Sequence, residues 1–265
     1  MRIDQNSGQH TKQDPEMDLK RTAGLGLIRR LNQHLNGYLY PLRCPICDRP
    51  AGEGRKLCMD CEAELCYASE PSCMKCGKKV WSDDKLLCAD CEKRHHLFAR
   101  GFQLFEYESI RDSLFRFKYE GRQEYAAFYG EQIYQKLGTT LQNLRPDAIV
   151  PVPIHDERLL KRGYNQAELL ARELSKHLEV PVESNLICRQ KNTKAMKELG
   201  PDERKNNLRG AFKLCQNDVS FKTIVIIDDI YTTGSTVDAV CKELFCGITG
   251  LERCYFVTLA AGTGV

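Results

Sequence analysis

The segment TIVIIDDIYTTGSTVDA, residues 223–239, contains the pattern that decides the fold of this chain. It begins with the aliphatic residues of a buried strand, passes through two adjacent aspartates and ends in a turn of small and hydroxylated residues. A helix is predicted after the turn, because apolar residues then recur at helical spacing. Its inward positions are Val237, Val240, Cys241 and Leu244, and Gly247 is expected to end it. A buried strand followed directly by a helix is typical of a parallel sheet.

Other segments extend this pattern through the second part of the chain. DAIVPVPI (147–154) and CYFVTLAA (254–261) are predicted strands, and NQAELLARELSKHL (165–178) is a predicted helix. Asn165 suits the N-cap of that helix, with Glu168 as its capping-box partner. The predicted buried face consists of Ala167, Leu170, Ala171, Leu174 and Leu178. Strands that alternate with helices predict an α/β domain over residues 98–265, with a mostly parallel sheet covered by helices.

The two aspartates and the turn after them are the candidate binding site. Asp228 and Asp229 stand at the carboxyl end of a strand, where ligands of such sheets bind. Backbone amides at a helix start, with hydroxyls beside them, form a cradle for phosphate, and Gly234 lets the backbone approach closely. The cradle residues are Thr232, Thr233, Gly234, Ser235 and Thr236.

A sugar phosphate satisfies both parts of this segment. Ionised carboxylates only accept hydrogen bonds, so Asp228 and Asp229 need hydroxyl donors or a metal ion rather than the phosphate itself. A ribose 5-phosphate would place its phosphate in the cradle and its 2- and 3-hydroxyls on the acids. The alternatives are a structural N-cap and a pocket for phosphate alone. The G-x-x-x-x-G-K-[ST] pattern of an ATPase P-loop does not occur.

A cysteine-rich unit over residues 44–97 precedes this domain. The chain has 14 cysteines, and a C-x-x-C pair begins at each of Cys44, Cys58, Cys73 and Cys88. Because the first residues carry no export signal, we expect metal ligation rather than disulfides, and a cytoplasmic protein. Two C-x-x-C loops complete a tetrahedral structural zinc site. Sequential pairing predicts one zinc on Cys44, Cys47, Cys58 and Cys61, and another on Cys73, Cys76, Cys88 and Cys91.

The cysteine pattern leaves other arrangements open. A cross-braced pairing would exchange the second pairs of the two units, and a redox role is a further alternative. Cys66 has no C-x-x-C partner and is expected to be a small buried residue. His95 and His96 are expected to be solvated, with replacement of a cysteine ligand as the alternative.

The ends and the overall charge add little to the functional assignment. Residues 1–17 are polar and predict a disordered tail. Residues 18–43 predict an amphipathic helix that packs on the cysteine-rich unit, and a membrane-surface role is the alternative. The net charge of +3 neither requires nor excludes a polyanionic partner. No apolar run approaches the ~20 residues of a membrane span.

The turn motif resembles the signature with which type I phosphoribosyltransferases bind 5-phosphoribosyl pyrophosphate (PRPP). Residues 149–171, 117–121 and 203–212, behind a double zinc ribbon, resemble the ComF/GntX family. The resemblance implies a type I phosphoribosyltransferase fold and Mg²⁺-dependent transfer of phosphoribose to an unidentified nitrogen nucleophile. One departure is Met196, where the family usually has glutamine, and it leaves the identity of the second substrate open.

The resemblance also assigns residues. The loop after the first core strand would hold pyrophosphate or substrate through Arg158, Lys161, Arg162, Asn165 and Gln166. A plain helix cap is the alternative for Asn165. The catalytic set would be Asp228, Asp229, Arg158 and Arg162. A flexible loop would close over PRPP with Arg189, Lys191, Lys194, Arg204 and Asn207, and a solvated surface loop is the alternative.

Two functional hypotheses follow. The first is a PRPP-dependent transferase, and the second is a non-catalytic module that binds PRPP or single-stranded DNA, with proteins of the competence machinery as partners. The second zinc ribbon is rich in basic residues: Lys75, Lys78, Lys79, Lys85, Lys93 and Arg94. Acidic residues are interspersed, so we prefer an ordinary solvated face to a nucleic-acid face there. For FRFKYEGRQEY (115–125) we likewise prefer an amphipathic helix to a nucleic-acid contact.

Overall fold

The computed structural model describes residues 42–82, 84–190, 210–216 and 219–262. The tail predicted over 1–17 lies outside these ranges, as does all but the last two residues of the helix predicted over 18–43. The described helices are α1 (Met59–Glu64), α2 (Ala89–Lys93), α3 (Tyr107–Tyr119), α4 (Tyr125–Asn143), α5 (Asp156–Arg162), α6 (Gln166–Leu178) and α7 (Ser235–Gly247). The described strands are β1 (Arg100–Phe105), β2 (Ala148–Pro151), β3 (Ile187–Arg189), β4 (Phe212–Leu214), β5 (Thr223–Tyr231) and β6 (Arg253–Ala261). Of the helices described, none has the length and apolarity that crossing a bilayer requires.

The main sheet has the strand order β1-β6-β5-β2, and all its neighbouring strands run parallel. In register, Val225 of β5 lies between Ile149 of β2 and Tyr255 of β6. The two central strands are apolar because helices or the ribbons cover both faces of the sheet. The predicted fold class, a mostly parallel α/β sheet behind a cysteine-rich unit, is confirmed.

Successive residues of β5 pack on opposite sides of the sheet. Val225 and Ile227 belong to the core that contains α4 and α6, whereas Ile224 and Ile226 belong to the core that contains α7. This alternation follows from the two-residue period of an extended strand. Cys73, Cys76, Val80 and Cys91 lie in the second core. The second zinc ribbon is therefore packed into the α/β domain rather than tethered to it.

The helices agree with the predicted faces. All five predicted inward residues of α6 and all four of α7 are buried. Asn165 caps α6 by accepting a hydrogen bond from the Ala167 amide at 3.1 Å. Glu168 instead forms an ion pair with Arg172 at 2.7 Å, so the capping-box prediction is wrong. The (i, i+4) spacing on the helix surface brings these two charges together.

Two cysteine predictions are also wrong. Antiparallel pairing of β3 with β4 brings Cys188 beside Cys215, and the two form a disulfide, although we expected none. The two cysteines are 27 residues apart in the sequence, and they come together only because the two strands pair. Cys66 is exposed, not buried, and its thiol donates to the Glu64 carbonyl at 3.4 Å.

Candidate functional site

The acidic pair lies near the carboxyl end of β5, but inside the strand rather than after it. β5 continues to Tyr231, and Asp228 is in register with Thr258 of β6. The Asp229 amide donates to Asp228 Oδ1 at 2.8 Å. Both side chains are partly accessible. The sequence analysis predicted the correct edge of the sheet for the two acids. It predicted that the strand ends before them, whereas β5 continues past both.

The two carboxylates have different electrostatic surroundings. Burial among protein atoms raises the pKa of Asp228 to about 7, and the negative charge of Asp229 adds to the rise. The positive charges of Lys118 and Arg189 act in the opposite direction. Near neutral pH the Asp228 carboxyl is therefore poised between its proton-donating and proton-accepting forms, as functional groups in clefts often are.

Lys118 is a site residue that the sequence analysis placed only on an amphipathic helix. Its Nζ lies 2.8 Å from Asp229 Oδ2, and the exposed fractions of the two side chains are 18% and 16%. Lys118 lies in the last turn of α3, which is far from β5 in the sequence. The signal that pointed to it was the FKYEG segment (117–121), which contributed to the family resemblance.

Arginines from two other elements lie at the same edge of the sheet. Burial lowers the pKa of Arg189, in β3, to about 10, and the positive charge of Arg158 contributes in the same direction, while Asp228 opposes it. These effects place Arg158, Arg189 and Asp228 within electrostatic range of one another. The Arg189 guanidinium lies 5.3 Å from the centre of the Phe212 ring. The other predicted flexible-loop residues, Lys191, Lys194, Arg204 and Asn207, lie outside the described residues, as does Met196.

The predicted pyrophosphate loop forms α5 and the start of α6. Lys161 is exposed, while Arg162 contacts Gln166 Oε1 and lies 5.1 Å from the centre of the Tyr119 ring. The side-chain amide of Asn165 donates through Nδ2 to the Val152 carbonyl at 3.0 Å. The side-chain amide of Gln166 donates through Nε2 to the Phe117 carbonyl at 3.2 Å. Both amide groups thus hold the loop in place, which agrees with the helix-cap alternative for Asn165.

The turn between β5 and α7 has an open helix start. Gly234 is the N-cap of α7 in the left-handed conformation, with φ of 79°, and none of the described side chains caps this helix. The hydroxyls of Thr233 and Ser235 lie 3.0 Å apart. A Cβ on Gly234 would come within 2.8 Å of both His96 Cε1 and the Tyr231 hydroxyl. The glycine is needed for this packing, a reason that the sequence did not suggest.

The cysteines form two compact groups. Cys44, Cys47, Cys58 and Cys61 make one, and Cys73, Cys76, Cys88 and Cys91 make the other. Within each group all sulfur atoms lie within 4.8 Å of one another. The grouping is sequential, not cross-braced.

Four cysteine sulfurs at this spacing fit a tetrahedral zinc ion with no open coordination position. Equivalent backbone turns support both groups, since the amides of Asp48 and Gly77 each donate at 2.8 Å to the carbonyl of the first cysteine of their group. Arg49 Nε also donates to Cys47 Sγ at 3.4 Å, an interaction that favours the thiolate. The donor set supports two structural zinc sites.

Comparisons with known proteins agree with this arrangement. Residues 35–92 match the double zinc ribbon domain family. Competence protein F of Haemophilus influenzae is 30% identical over 194 residues, which is 71% of this chain and 83% of that protein. DNA utilization protein YhgH of Escherichia coli K12 is 29% identical over 77% of this chain and 91% of its own length. Competence protein ComFC of Bacillus subtilis is 25% identical over 78% and 90%.

A solved structure, the purine phosphoribosyltransferase of Pyrococcus horikoshii Ot3, has 16% identity and a TM-score of 0.33. The aligned region covers 52% of this chain and 84% of the transferase chain. A structural similarity this low gives no information about the site. The fold and the two cysteine groups define a protein with a double zinc ribbon joined to a parallel α/β domain. The chain belongs to the ComF-like family of competence proteins.

Proposed function

We propose that this protein binds PRPP together with Mg²⁺ at the carboxyl edge of the sheet and acts as a phosphoribosyltransferase in the use of incoming DNA. The observation that carries the proposal is the acidic pair Asp228–Asp229 directly before the open start of α7. The acids suit the ribose hydroxyls, and the helix start suits the 5-phosphate. The role in DNA uptake rests on the relatives, which are competence and DNA utilization proteins.

The surrounding cations suit the pyrophosphate group. Arg158 and Arg189 lie at the same edge, and Lys118 neutralises Asp229. In the transfer, the bond from the anomeric carbon to pyrophosphate breaks and a bond to nitrogen forms, so negative charge grows on the leaving oxygen. Preorganised cations stabilise that charge. The carboxylates of Asp228 and Asp229 offer the oxygen ligands that Mg²⁺ prefers, and bound Mg²⁺ would supply further neutralisation of the phosphates.

Calorimetry with PRPP and Mg²⁺ tests the binding step. The unchanged protein should release or absorb heat with a saturable isotherm, and the double variant Asp228→Asn/Asp229→Asn should give none. Asp112→Asn, at an exposed acid on α3, is the matched control and should bind as the unchanged protein does. Equal binding by the double variant would remove the acids from the site.

Turnover requires a separate measurement, because a site of this kind also suits a protein that only senses PRPP. Release of pyrophosphate should be measured with the unchanged protein, PRPP, Mg²⁺ and a panel of amines and nucleobases. A nucleophile-dependent release that Arg158→Ala abolishes supports the transferase. Binding without release by any member of the panel favours the non-catalytic alternative.

A second candidate function is contact with single-stranded DNA through the second ribbon. Trp81 is 92% exposed there, with Lys79 Nζ 5.6 Å from its ring centre. Exposed aromatic rings near cations are the stacking platforms of single-strand binders. Against this, Lys78 is paired with Asp90 and Lys79 with Glu106, so part of the basic charge is already neutralised.

The fluorescence of Trp81, the single tryptophan of the chain, reports directly on this candidate. Oligo-deoxythymidine should quench it at low salt, and the apparent affinity should fall steeply as salt is raised. When binding is followed instead by the anisotropy of a dye-labelled oligo-deoxythymidine, Trp81→Ala should weaken it by about 1–3 kcal/mol, the usual contribution of one stacked base. Unchanged fluorescence at low salt would exclude contact at Trp81.

A further inference from the structure

The segment that leaves the second zinc ribbon is bound to the first turn of α7. His96 Nδ1 lies 2.7 Å from Asp238 Oδ2, and the His96 side chain is only 1% exposed. The Leu97 amide donates to Asp238 Oδ1 at 2.9 Å. Both oxygens of the Asp238 carboxylate are therefore held by residues that follow Cys91 by no more than six positions. The expectation that His96 is solvated is wrong, whereas His95 is exposed as expected.

The same histidine packs against the candidate phosphate turn, residues 232–236. Its ring stacks on Phe98 with centres 4.7 Å apart. Its Cε1 occupies the space that a side chain on Gly234 would need. The Asp238 backbone amide makes the first hydrogen bond of α7, since it donates to the Gly234 carbonyl at 2.8 Å. His96 and Asp238 thus contact the turn and each other.

Tyr231, the last residue before the turn, makes a further contact with the second ribbon. Its ring stacks on Phe256 with centres 4.9 Å apart, and Lys78 Nζ lies 5.4 Å from its centre. Lys78 is also ion-paired with Asp90 of α2 at 3.0 Å. Tyr231 shares a buried core with Cys73, Cys76 and Cys91. Cysteines of the second zinc site are therefore part of the packing beneath the turn.

The first ribbon docks elsewhere. Asp48 accepts hydrogen bonds from Arg122 and from the Tyr125 hydroxyl, each at 2.6 Å. Lys56 pairs with Glu131 of α4, and Ser113 of α3 donates to the Pro45 carbonyl. Across the described ranges, the hydrogen bonds and ion pairs of the first ribbon reach this side of the domain and not α7. The two ribbons are similar in sequence, but they contact different helices of the α/β domain.

We infer that the second zinc ribbon positions the phosphate-binding turn through His96 and Asp238, and that the first ribbon does not. The inference rests on the proposed function for the identity of the ligand, but the positioning itself does not depend on it. An acid in the first turn of a helix repels a phosphate bound there. Because both of its carboxylate oxygens accept hydrogen bonds, the Asp238 side chain is held in one orientation. His96 and Asp238 are positioning residues and not catalytic ones.

Hydrogen exchange of the amides in residues 232–240 tests the positioning without any ligand. His96→Gln should speed exchange there by about tenfold, the effect of losing one charge-assisted hydrogen bond. The control His95→Gln, at the exposed neighbour, and the control Asp48→Asn, at the anchor of the first ribbon, should leave that exchange unchanged. Bound zinc should be the same in all variants, because none of the substituted residues is a cysteine ligand. Unchanged exchange in His96→Gln would overturn the inference.

Calorimetry with PRPP and Mg²⁺ separates this inference from the proposed function. His96→Gln should weaken binding by about tenfold, for the same reason as above. If the unchanged protein gives no heat, the proposed function fails while the exchange result still decides the positioning role. Should His96→Gln fail to fold, Asp238→Asn tests the same contact with a smaller change, and normal exchange in that variant would also overturn the inference.

Discussion

Lys118 and Asp229 form an ion pair across the carboxyl edge of the sheet, with Nζ 2.8 Å from Oδ2. Lys118 belongs to α3 and Asp229 to β5, so the contact joins the first helix of the α/β domain to its acidic strand. The pKa of the neighbouring acid, Asp228, is raised to about 7 by its own burial and by the charge of Asp229, while the charge of Lys118 opposes the rise.

Replacing Lys118 with methionine should destabilise the protein by roughly 2–3 kcal/mol, because it leaves the mostly buried Asp229 without its partner. Urea unfolding monitored by circular dichroism measures the change. Arg111→Met on the exposed side of the same helix is the matched control and should cost less than about 1 kcal/mol. A loss no larger than that of the control would mean that the ion pair does not contribute to stability.

The raised pKa of Asp228 predicts a pH-dependent difference between the protein and its Asp228→Asn variant. Burial moves this pKa upward from 3.8 to about 7, so between these values the folded chain binds a proton that the unfolded chain does not. The free energy of unfolding therefore falls as pH rises through this window. The variant should be more stable than the unchanged protein near pH 8, by up to about 4 kcal/mol, and the advantage should vanish near pH 4.

Urea unfolding of both proteins at several pH values measures this difference. A difference between the two proteins that stays constant with pH would show that the pKa of Asp228 is ordinary.

Gly234→Ala should destabilise the protein by about 2–4 kcal/mol, the combined cost of a left-handed alanine and of overpacking. The added Cβ would meet His96 Cε1 and the Tyr231 hydroxyl at 2.8 Å. Gly163→Ala is a close control, because Gly163 has φ of 84° and no atom within 4 Å of the added Cβ. That control should cost only about 1–2 kcal/mol. Thermal or urea unfolding of both variants compares them, and equal losses would contradict the crowding at Gly234.

Single cysteine substitutions should remove zinc one site at a time. Elemental analysis should find about two zinc ions per unchanged chain, and about one after either Cys47→Ser or Cys76→Ser. Cys241→Ser, at a buried cysteine outside both groups, should keep both ions. Retention of two ions by Cys47→Ser would contradict the first site, and the same result for Cys76→Ser would contradict the second.

The parts of the site that could be predicted are those with local signals. The buried face of α6 follows from apolar residues at helical spacing, and the cysteine groups follow from repeated C-x-x-C spacing. The edge at which Asp228 lies follows from the rule that ligands of parallel sheets bind at the carboxyl ends of strands. The end of β5 was misplaced because charged residues at a strand end look like the start of a loop.

The sequence alone determined the strand–turn–helix unit at 223–247 and the sequential pairing preferred for the cysteines, because both depend on residues close together in the chain. Only the tertiary structure decided that Lys118 meets Asp229, that Cys188 meets Cys215, and that His96 holds Asp238 across 142 residues. Local patterns specify which face of an element is buried. They do not specify which distant side chain arrives there, since that depends on how the sheet and both ribbons pack together.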